Sequence, residues 1–374
     1  MNSLFFYGTL RHIPLLSAVL GRSLEESEVI NVTLKDHEVF AVQDEVFPMI
    51  VKGGRGATGL LIETISDEEV ERLRFYKGGH DFDLELVCVE VDGVPHEARV
   101  FFPASGVERA NGPWSLDRWV HDSGDWSVFG AHEELSYFGL KSRETVNEML
   151  PMIRARAMAK VIASGEHCSF SPGGMTTKDV ATLSMKRPYG AHFTVEEYDL
   201  SYRRYDGSSE DNVRRAVLVA TDAVIVLPYD PVRDRVLLVE QFRPGPYVRG
   251  DNKPWQLEPI AGRIDGKEAI EDAAHREAME EAGLTIRVLE KVAKCYPSPG
   301  TSTEFYHIFV GLADLPDDIT GIGGLDHEAE DIQSFVYQLT TLMEFVDEGR
   351  IVNAPLVLAA HWLVRHRKRL STLT

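Results

Sequence analysis

The 374-residue chain reads as a two-domain α/β protein. Its length exceeds what one typical core organises, since a domain usually holds roughly 100–200 residues. Short apolar runs bounded by polar turns also give way, along the chain, to stretches with helical spacing. Finally, residues 262–284 read GRIDGKEAIEDAAHREAMEEAGL. Ala and Glu favour helix from Glu268 to Ala282, and Gly283 stands where a left-handed C-terminal cap belongs.

Residues 1–125 form the first domain. Its strand candidates are SLFFYG, HEVFAV, GLLIETI, LELVCVEV and EARVFFP, separated by polar turns and helical patches. From 126 to 189 comes a helical connector and linker. The segment TVNEMLPMIRARAMAKVIAS runs to a cap at Gly165, and Pro151 is expected to kink it or mark its first turn. Ser-Pro-Gly-Gly within 166–177 marks a turn. The second domain, 190–374, opens with two strand-like stretches, FTVEEYDLSYRRYDG and NVRRAVLVATDAVIVLPYD, followed by the apolar run VLLVEQF. No long-period repeat and no Walker-type phosphate loop is present, and Gly321–Gly324 lacks the spacing of a dinucleotide fingerprint.

Composition narrows the classes of function. With 39 basic and 59 acidic residues the formal net charge is −20. That argues against nucleic acid or an anionic membrane as partner, because both attract basic surfaces. Cys88, Cys168 and Cys295 are far apart and odd in number, so neither a disulfide framework nor a zinc site is expected. The N-terminal stretch has no signal-peptide pattern, and no run approaches the roughly 18 apolar residues of a membrane span. A cytoplasmic protein is expected. An acidic protein that handles phosphate must draw positive charge from metal ions and a few arginines.

The helix at 268–282 carries the chemistry. Glu277 and Glu281 lie four apart on one face, with Glu280 beside them. Three neighbouring anions repel by about a few tenths of a kcal/mol per pair, a cost that a hard cation removes. Mg²⁺ is held in this manner, by a few carboxylates together with water and substrate phosphate.

Gly262, Glu268, Arg276-Glu277, Glu280-Glu281, Gly283 and Leu284 fall on the fixed positions of G-x5-E-x7-R-E-U-x-E-E-x-G-U, with Ala278 where a larger aliphatic is usual. The segment resembles the Nudix box. The resemblance implies an α/β/α sandwich with a mixed sheet that hydrolyses a nucleoside diphosphate linked to another moiety, using Mg²⁺ or Mn²⁺. It places metal ligands at Glu277, Glu281, Glu280 and the backbone carbonyl of Ala261, and makes Glu268 and Arg276 a structural ion pair. In the acidic segment GLDHEAEDI, 324–332, it places Glu328 as the base and brings Glu330 onto the metals. Which of the two is the base stays open.

VLLVEQFRPGPY, PWQLEPIAGRI and Pro299, fifteen residues after Leu284, resemble the ADP-ribose pyrophosphatase branch. That likeness implies substrate contacts at Arg215, Arg243, Arg263 and Glu304, adenine stacking by Phe193 or His192, and a homodimer formed through the strands of 190–225. Ala216 departs from the pattern, since an acid follows the paired arginines in close relatives. Another nucleoside-diphosphate-sugar specificity, or a ligand sensor with little turnover, is the alternative.

FFYGTLR, 5–11, and FYKGGHDFDLELVCVEV, 75–91, resemble the γ-glutamylcyclotransferase-like (AIG2-like) fold. This implies a small α+β barrel domain whose loop Tyr7, Gly8, Thr9 and Leu10 cups a small ligand. Relatives carry a catalytic glutamate where this chain has Lys77, which is protonated near neutral pH and accepts no proton. Nothing in the spacing of Asp81, Asp83 or Glu85 puts one of them in its place. A domain without cyclotransferase activity is therefore expected. The fused layout resembles proteins associated with tellurite resistance, a link for which the sequence offers no mechanism.

Overall fold

The apolar runs at the N-terminus close into a barrel. In the computed structural model β1 (Asn2–Phe6), β2 (Ile30–Leu34), β5 (Ala57–Ile65), β6 (Phe82–Val91) and β7 (Val94–Pro103) pair in the order β1-β5-β2-β6-β7, and a parallel β1–β7 contact completes the circle. A second sheet, ordered β4-β3-β8, holds β3 (His37–Val42), β4 (Pro48–Lys52) and β8 (Ala110–Pro113). Successive strand side chains point to opposite faces. Phe5 thus joins Val32, Leu61 and Val100 in one core, while Leu4 and Phe6 join Leu16, Ile62 and Leu135 in another. The structure describes every residue except 1, 44, 79–81, 104–109, 166–169, 267, 326–329 and 374, together with the side chains of 82, 83, 103 and 110.

The helices of the first unit are α1 (Ile13–Leu20), α2 (Asp67–Lys77), the short α3 (Leu116–Trp119), α4 (Asp125–Leu135) and α5 (Arg143–Gly165). The chain folds as two compact units, 1–166 and 167–374, which divide the stretch 126–189 between them. Ala131 and Leu135 of α4 pack into the core beside Leu4 and Phe6. A buried ion pair, Arg156 to Glu133 at 2.6 Å, fastens α5 to α4. Removing one partner of such a pair strands a buried charge, at a cost of about 3–5 kcal/mol. Pro151 lies inside α5 and not in its first turn.

The second unit begins with a three-stranded antiparallel sheet, β9 (Val180–Gly190), β10 (Thr194–Arg203) and β11 (Ser209–Val219). The sequence did not announce β9, which contains Lys186-Arg187-Pro188. A proline is tolerated there because β9 is an edge strand. The expected single stretch through 212–230 breaks at Ala220-Thr221 into β11 and β12 (Asp222–Asp230).

From β12 the chain builds a mixed sheet with β13 (Arg235–Phe242), β14 (Trp255–Glu258), β15 (Ile260–Arg263), β16 (Val288–Cys295), β17 (Phe305–Leu312), β18 (Ile322–Gly323) and β19 (Ile332–Gln338). Only β12–β17 pairs in parallel among these described strands. Helix α6 (Pro244–Arg249) follows β13, α7 (Ile270–Ala282) follows β15, and α8 (Leu339–Asp347) and α9 (Ala354–Leu370) close the chain. Alternation along β12 sends Val224 and Val226 toward Ala273, Ala274 and Ala278 of α7, and Ile225, Leu227 and Tyr229 toward Leu356 and Leu363 of α9. Helices therefore cover both faces of the sheet, as expected for an α/β/α sandwich. No described helix is long and apolar enough to cross a membrane.

Candidate active site

Helix α7 starts after Ala269, two residues later than its composition suggests. Glu268 stays outside it, held by Arg276 through Nε to Oε1 at 2.8 Å and Nη2 to Oε2 at 2.9 Å. The same guanidinium reaches Glu277 at 2.7 Å, Glu280 at 2.8 Å and the backbone carbonyl of Arg263 at 3.0 Å. One arginine thus binds the end of β15 to the acidic face of α7. The helix ends at Gly283 with φ +62°, the left-handed cap its sequence called for.

Three of the expected acids converge. Glu281 is 2 % exposed, and among the described residues no cationic side chain pairs with it. One of its oxygens accepts the Ala261 N–H at 3.4 Å, which puts the end of β15 beside it. Burial first, then Glu277 and Glu330, push its carboxyl well above the usual range. Glu277 is raised to about 7, by burial and by Glu280 and Glu330, against the opposing pull of Arg276. Glu330 is anchored nearby, its Oε2 accepting the Leu325 N–H at 3.3 Å. The segment before it is tied to α7 by the Gly324 N–H, which donates to the Glu280 carbonyl at 3.2 Å. Glu280 faces Arg276. Glu328 lies outside the described residues.

This arrangement suits a hard divalent cation. No three acids, histidines or cysteines among the described residues already form a closed metal cage. Instead, oxygen donors crowd together with too little positive charge, and burial disfavours their ionised forms. A divalent ion supplies the missing charge, and its binding is coupled to release of the carboxyl protons.

Beside the acids stands Arg243, half-buried, donating to the buried Glu258 at 2.7 Å. Glu258 also accepts from Asn353 at 3.0 Å, the residue that caps α9 through the Leu356 N–H. The Arg243 charge is felt at Glu281, Glu304 and Tyr306, so it lies among them. Burial raises the Glu304 carboxyl, while the Tyr306 hydroxyl, 3.3 Å away, and Arg243 oppose the shift. Arg263 approaches His192 at 3.5 Å, and His192 meets Phe193 edge-on at 4.7 Å, which brings the β9–β10 turn to the end of β15. Arg215 is not drawn into this group by any described contact. It is exposed on β11 and donates to the Arg214 carbonyl at 2.9 Å.

Glu258, Tyr306 and Asn353 were not singled out from sequence. Asn353 carried a readable signal, an Asn two residues before Pro355 at the head of an apolar helix. Glu258 carried none, because an acid inside PWQLEP looks like any strand-end residue.

Both units have counterparts among known proteins. A family model described as NUDIX domain matches residues 219–357, and one described as Gamma-glutamyl cyclotransferase, AIG2-like, matches residues 4–128. An ADP-ribose pyrophosphatase of Escherichia coli strain K12 is 38% identical over 192 residues, 51% of this chain and 91% of the relative. One from Haemophilus influenzae is 34% identical, covering 50% of this chain and 86% of its own length. A GDP-mannose pyrophosphatase of Yersinia enterocolitica is 28% identical, covering 46% and 89%.

Proposed function

The chain belongs to the Nudix hydrolase family, with an AIG2-like domain at its N-terminus, and we propose that it hydrolyses ADP-ribose to AMP and ribose 5-phosphate. The observation that carries the hydrolase reading is the convergence of Glu277, Glu281 and Glu330, of which Glu281 makes no ion pair among the described residues, and the likeness to ADP-ribose pyrophosphatases supports the substrate. Nudix hydrolases generally use divalent metal ions. Glu277, Glu281, Glu330 and the backbone at Ala261 would hold Mg²⁺ or Mn²⁺, with Glu280 as a further donor once released from Arg276. Bound there, the ion neutralises charge that develops on the phosphates.

The protein's own groups do the rest. Arg243, aimed by Glu258, binds the diphosphate, and Arg263 and Glu304 bound the same site. His192 and Phe193 offer ring surfaces to the base. A water oxygen attacks one phosphorus and the bond to the bridging oxygen breaks. A carboxylate of the 324–332 loop, Glu328 or Glu330, accepts the water's proton. Nothing nucleic-acid-like or lipid-like is needed as a partner, and the exposed face of the β9–β11 sheet supports a homodimer.

A second reading, another nucleoside-diphosphate sugar as substrate, is favoured by the likeness to GDP-mannose pyrophosphatases. Product analysis with Mg²⁺ on ADP-ribose, GDP-mannose, UDP-glucose and NADH separates them. ADP-ribose is expected to show the highest kcat/KM. A higher value for GDP-mannose overturns the substrate and leaves the family standing. No turnover of any of them favours a sensor.

A further inference from the structure

The segment that leads into β17 is stitched to the break between β11 and β12. The Leu218 N–H donates to the Thr301 carbonyl at 2.8 Å, and the Thr303 N–H donates to the Leu218 carbonyl at 3.0 Å. The Thr303 hydroxyl then closes on Ala220 from both sides. It accepts the Ala220 N–H at 3.0 Å and donates to the Ala220 carbonyl at 3.1 Å. A hydroxyl can serve both because it carries one donor and two acceptor sites. Valine has the same shape and neither capacity.

A buried pair makes the same connection at greater depth. His307, 1% exposed, meets Asp222, 6% exposed, through Nε2 and Oδ2 at 3.0 Å. The other ring nitrogen, Nδ1, is buried without a partner among the described residues. A buried nitrogen left unpaired costs stability, and apolar replacements for a buried polar pair are often neutral or stabilising. The pair is therefore a poor device for stability. It is a good one for register. In the parallel ladder Asp222 lies opposite Phe305 and Val224 opposite His307, and a slip of one residue would turn His307 to the other face.

Both ties end beside residues that the hydrolase reading places on the substrate. Thr303 precedes Glu304 in the chain. The Asp222 carbonyl accepts the Ile264 N–H at 3.2 Å, and Ala223 pairs with Arg263, so the start of β12 also carries the end of β15. The acids of the metal site hang from other elements, Glu277 and Glu281 from α7 and Glu330 from the segment before β19. We propose that Thr303 and the Asp222–His307 pair are positioning residues that hold Glu304 and Arg263 at a fixed spacing for the substrate, independently of the metal site. This rests on the hydrolase reading.

Steady-state kinetics of the full chain with Mg²⁺ titration tests it. The substrate is whichever of ADP-ribose and GDP-mannose the unaltered protein turns over with the higher kcat/KM, so that a wrong substrate does not imitate a wrong clamp. Thr303→Val should raise KM about fivefold or more, the effect that lost hydrogen bonds support. The Mg²⁺ concentration for half-maximal rate should stay within about twofold of the parent, since the metal acids are untouched. Thr303→Ser keeps the hydroxyl and should restore KM. The paired change Asp222→Leu with His307→Leu should raise KM as well. An unchanged KM in Thr303→Val, a Thr303→Ser variant as impaired as Thr303→Val, or a Mg²⁺ requirement that rises in step with KM overturns the proposal. An unchanged KM in the paired variant makes that pair merely structural and overturns its part. Thr303 is exposed, so its two variants decide the matter even if the paired change fails to fold. If neither substrate is turned over, the Kd for ADP-ribose from isothermal titration takes the place of KM. Absence of both turnover and binding overturns the hydrolase reading along with the clamp.

Discussion

Gly262 runs so close beneath Glu277 that a Cβ placed on it would sit 1.9 Å from the Glu277 carboxyl carbon. The glycine of the box is therefore a clearance for a carboxylate. Gly262→Ala must push Glu277 aside while leaving the cores around it intact. A displacement of about 1 Å at a reacting centre can cost roughly a hundredfold in rate. We expect a loss of that order in kcat/KM on ADP-ribose with a melting temperature lowered by only a few degrees. Activity within about twofold of the parent would mean that the position of Glu277 is not critical.

Glu281→Gln and Glu280→Gln should differ sharply. Glu281 is buried and makes no ion pair among the described residues, whereas Glu280 is turned toward Arg276. Residues that only support a metal ligand typically cost about 10–100-fold when altered. The Glu280 change should fall near the lower end of that range, and the Glu281 change should exceed it. Stability should move the other way, because a neutral amide at 281 relieves the burial of a charge. Thermal unfolding without added metal should show Glu281→Gln at least as stable as the parent. Equal, mild losses of activity from both changes would indicate a merely solvated acidic helix.

Much of this site is legible in the order of residues alone, for a physical reason. Carboxylates on one helical turn declare their shared face through spacing, and Gly262, Arg276 and Gly283 each answer a local steric or electrostatic demand. Partners that meet only through the sheet are not legible. Glu258 finds Arg243 because β13 and β14 pair, with Val239 opposite Glu258, and it finds Asn353 from 95 positions away. The packing of α5 against α4 is hidden similarly. Arg156 and Glu133 look like surface residues until their helices lie side by side. Strand β9 escapes because Lys186-Arg187-Pro188 interrupts the alternation begun by Ala181, Leu183 and Met185.

The barrel unit should lose stability in acid through a specific capping contact. Glu69 accepts the Ser66 N–H at 2.7 Å and Arg22 Nε at 2.6 Å. Burial pushes its carboxyl up, but these partners outweigh burial and hold it below 4.5. A depressed carboxyl stabilises the fold above its unfolded-state value, and that contribution vanishes as pH falls through the folded-state value. Glu69→Gln should therefore cost about 1 kcal/mol near neutral pH. The gap to the parent should close as pH falls well below the unfolded-state carboxyl value. A gap that stays constant across the acid range would assign the cost to packing alone.

Glu328→Gln and Glu330→Gln should separate base from ligand. A residue that acts only in the transition state lowers kcat and leaves KM nearly unchanged. That signature is expected for Glu328. Glu330, close enough to raise both Glu277 and Glu281, should instead raise the Mg²⁺ concentration needed for half-maximal rate. Steady-state kinetics with Mg²⁺ titrations would read both. The reverse pattern exchanges the two roles, and unaltered kinetics in both variants would leave the loop without function.

The β9–β11 sheet should be the seat of a homodimer. Leu183, Met185 and Tyr189 along β9 are 57%, 44% and 54% exposed, an apolar series on a sheet that the mixed sheet does not cover. Exposed apolar surface of this kind marks an association site more often than a solvated face. A homodimer also offers a reason for Arg215, whose exposed guanidinium meets no described acid of the site within its own chain. Light scattering of the full chain should give twice the chain's mass. The paired changes Leu183→Glu and Met185→Glu put like charges into the same surface and should yield a monomer. If Arg215 serves the site of the other copy, that monomer should retain its melting behaviour and lose affinity for ADP-ribose, seen as a raised KM. A monomer with unaltered kinetics would show that each chain completes its own site and that Arg215 plays no part in it.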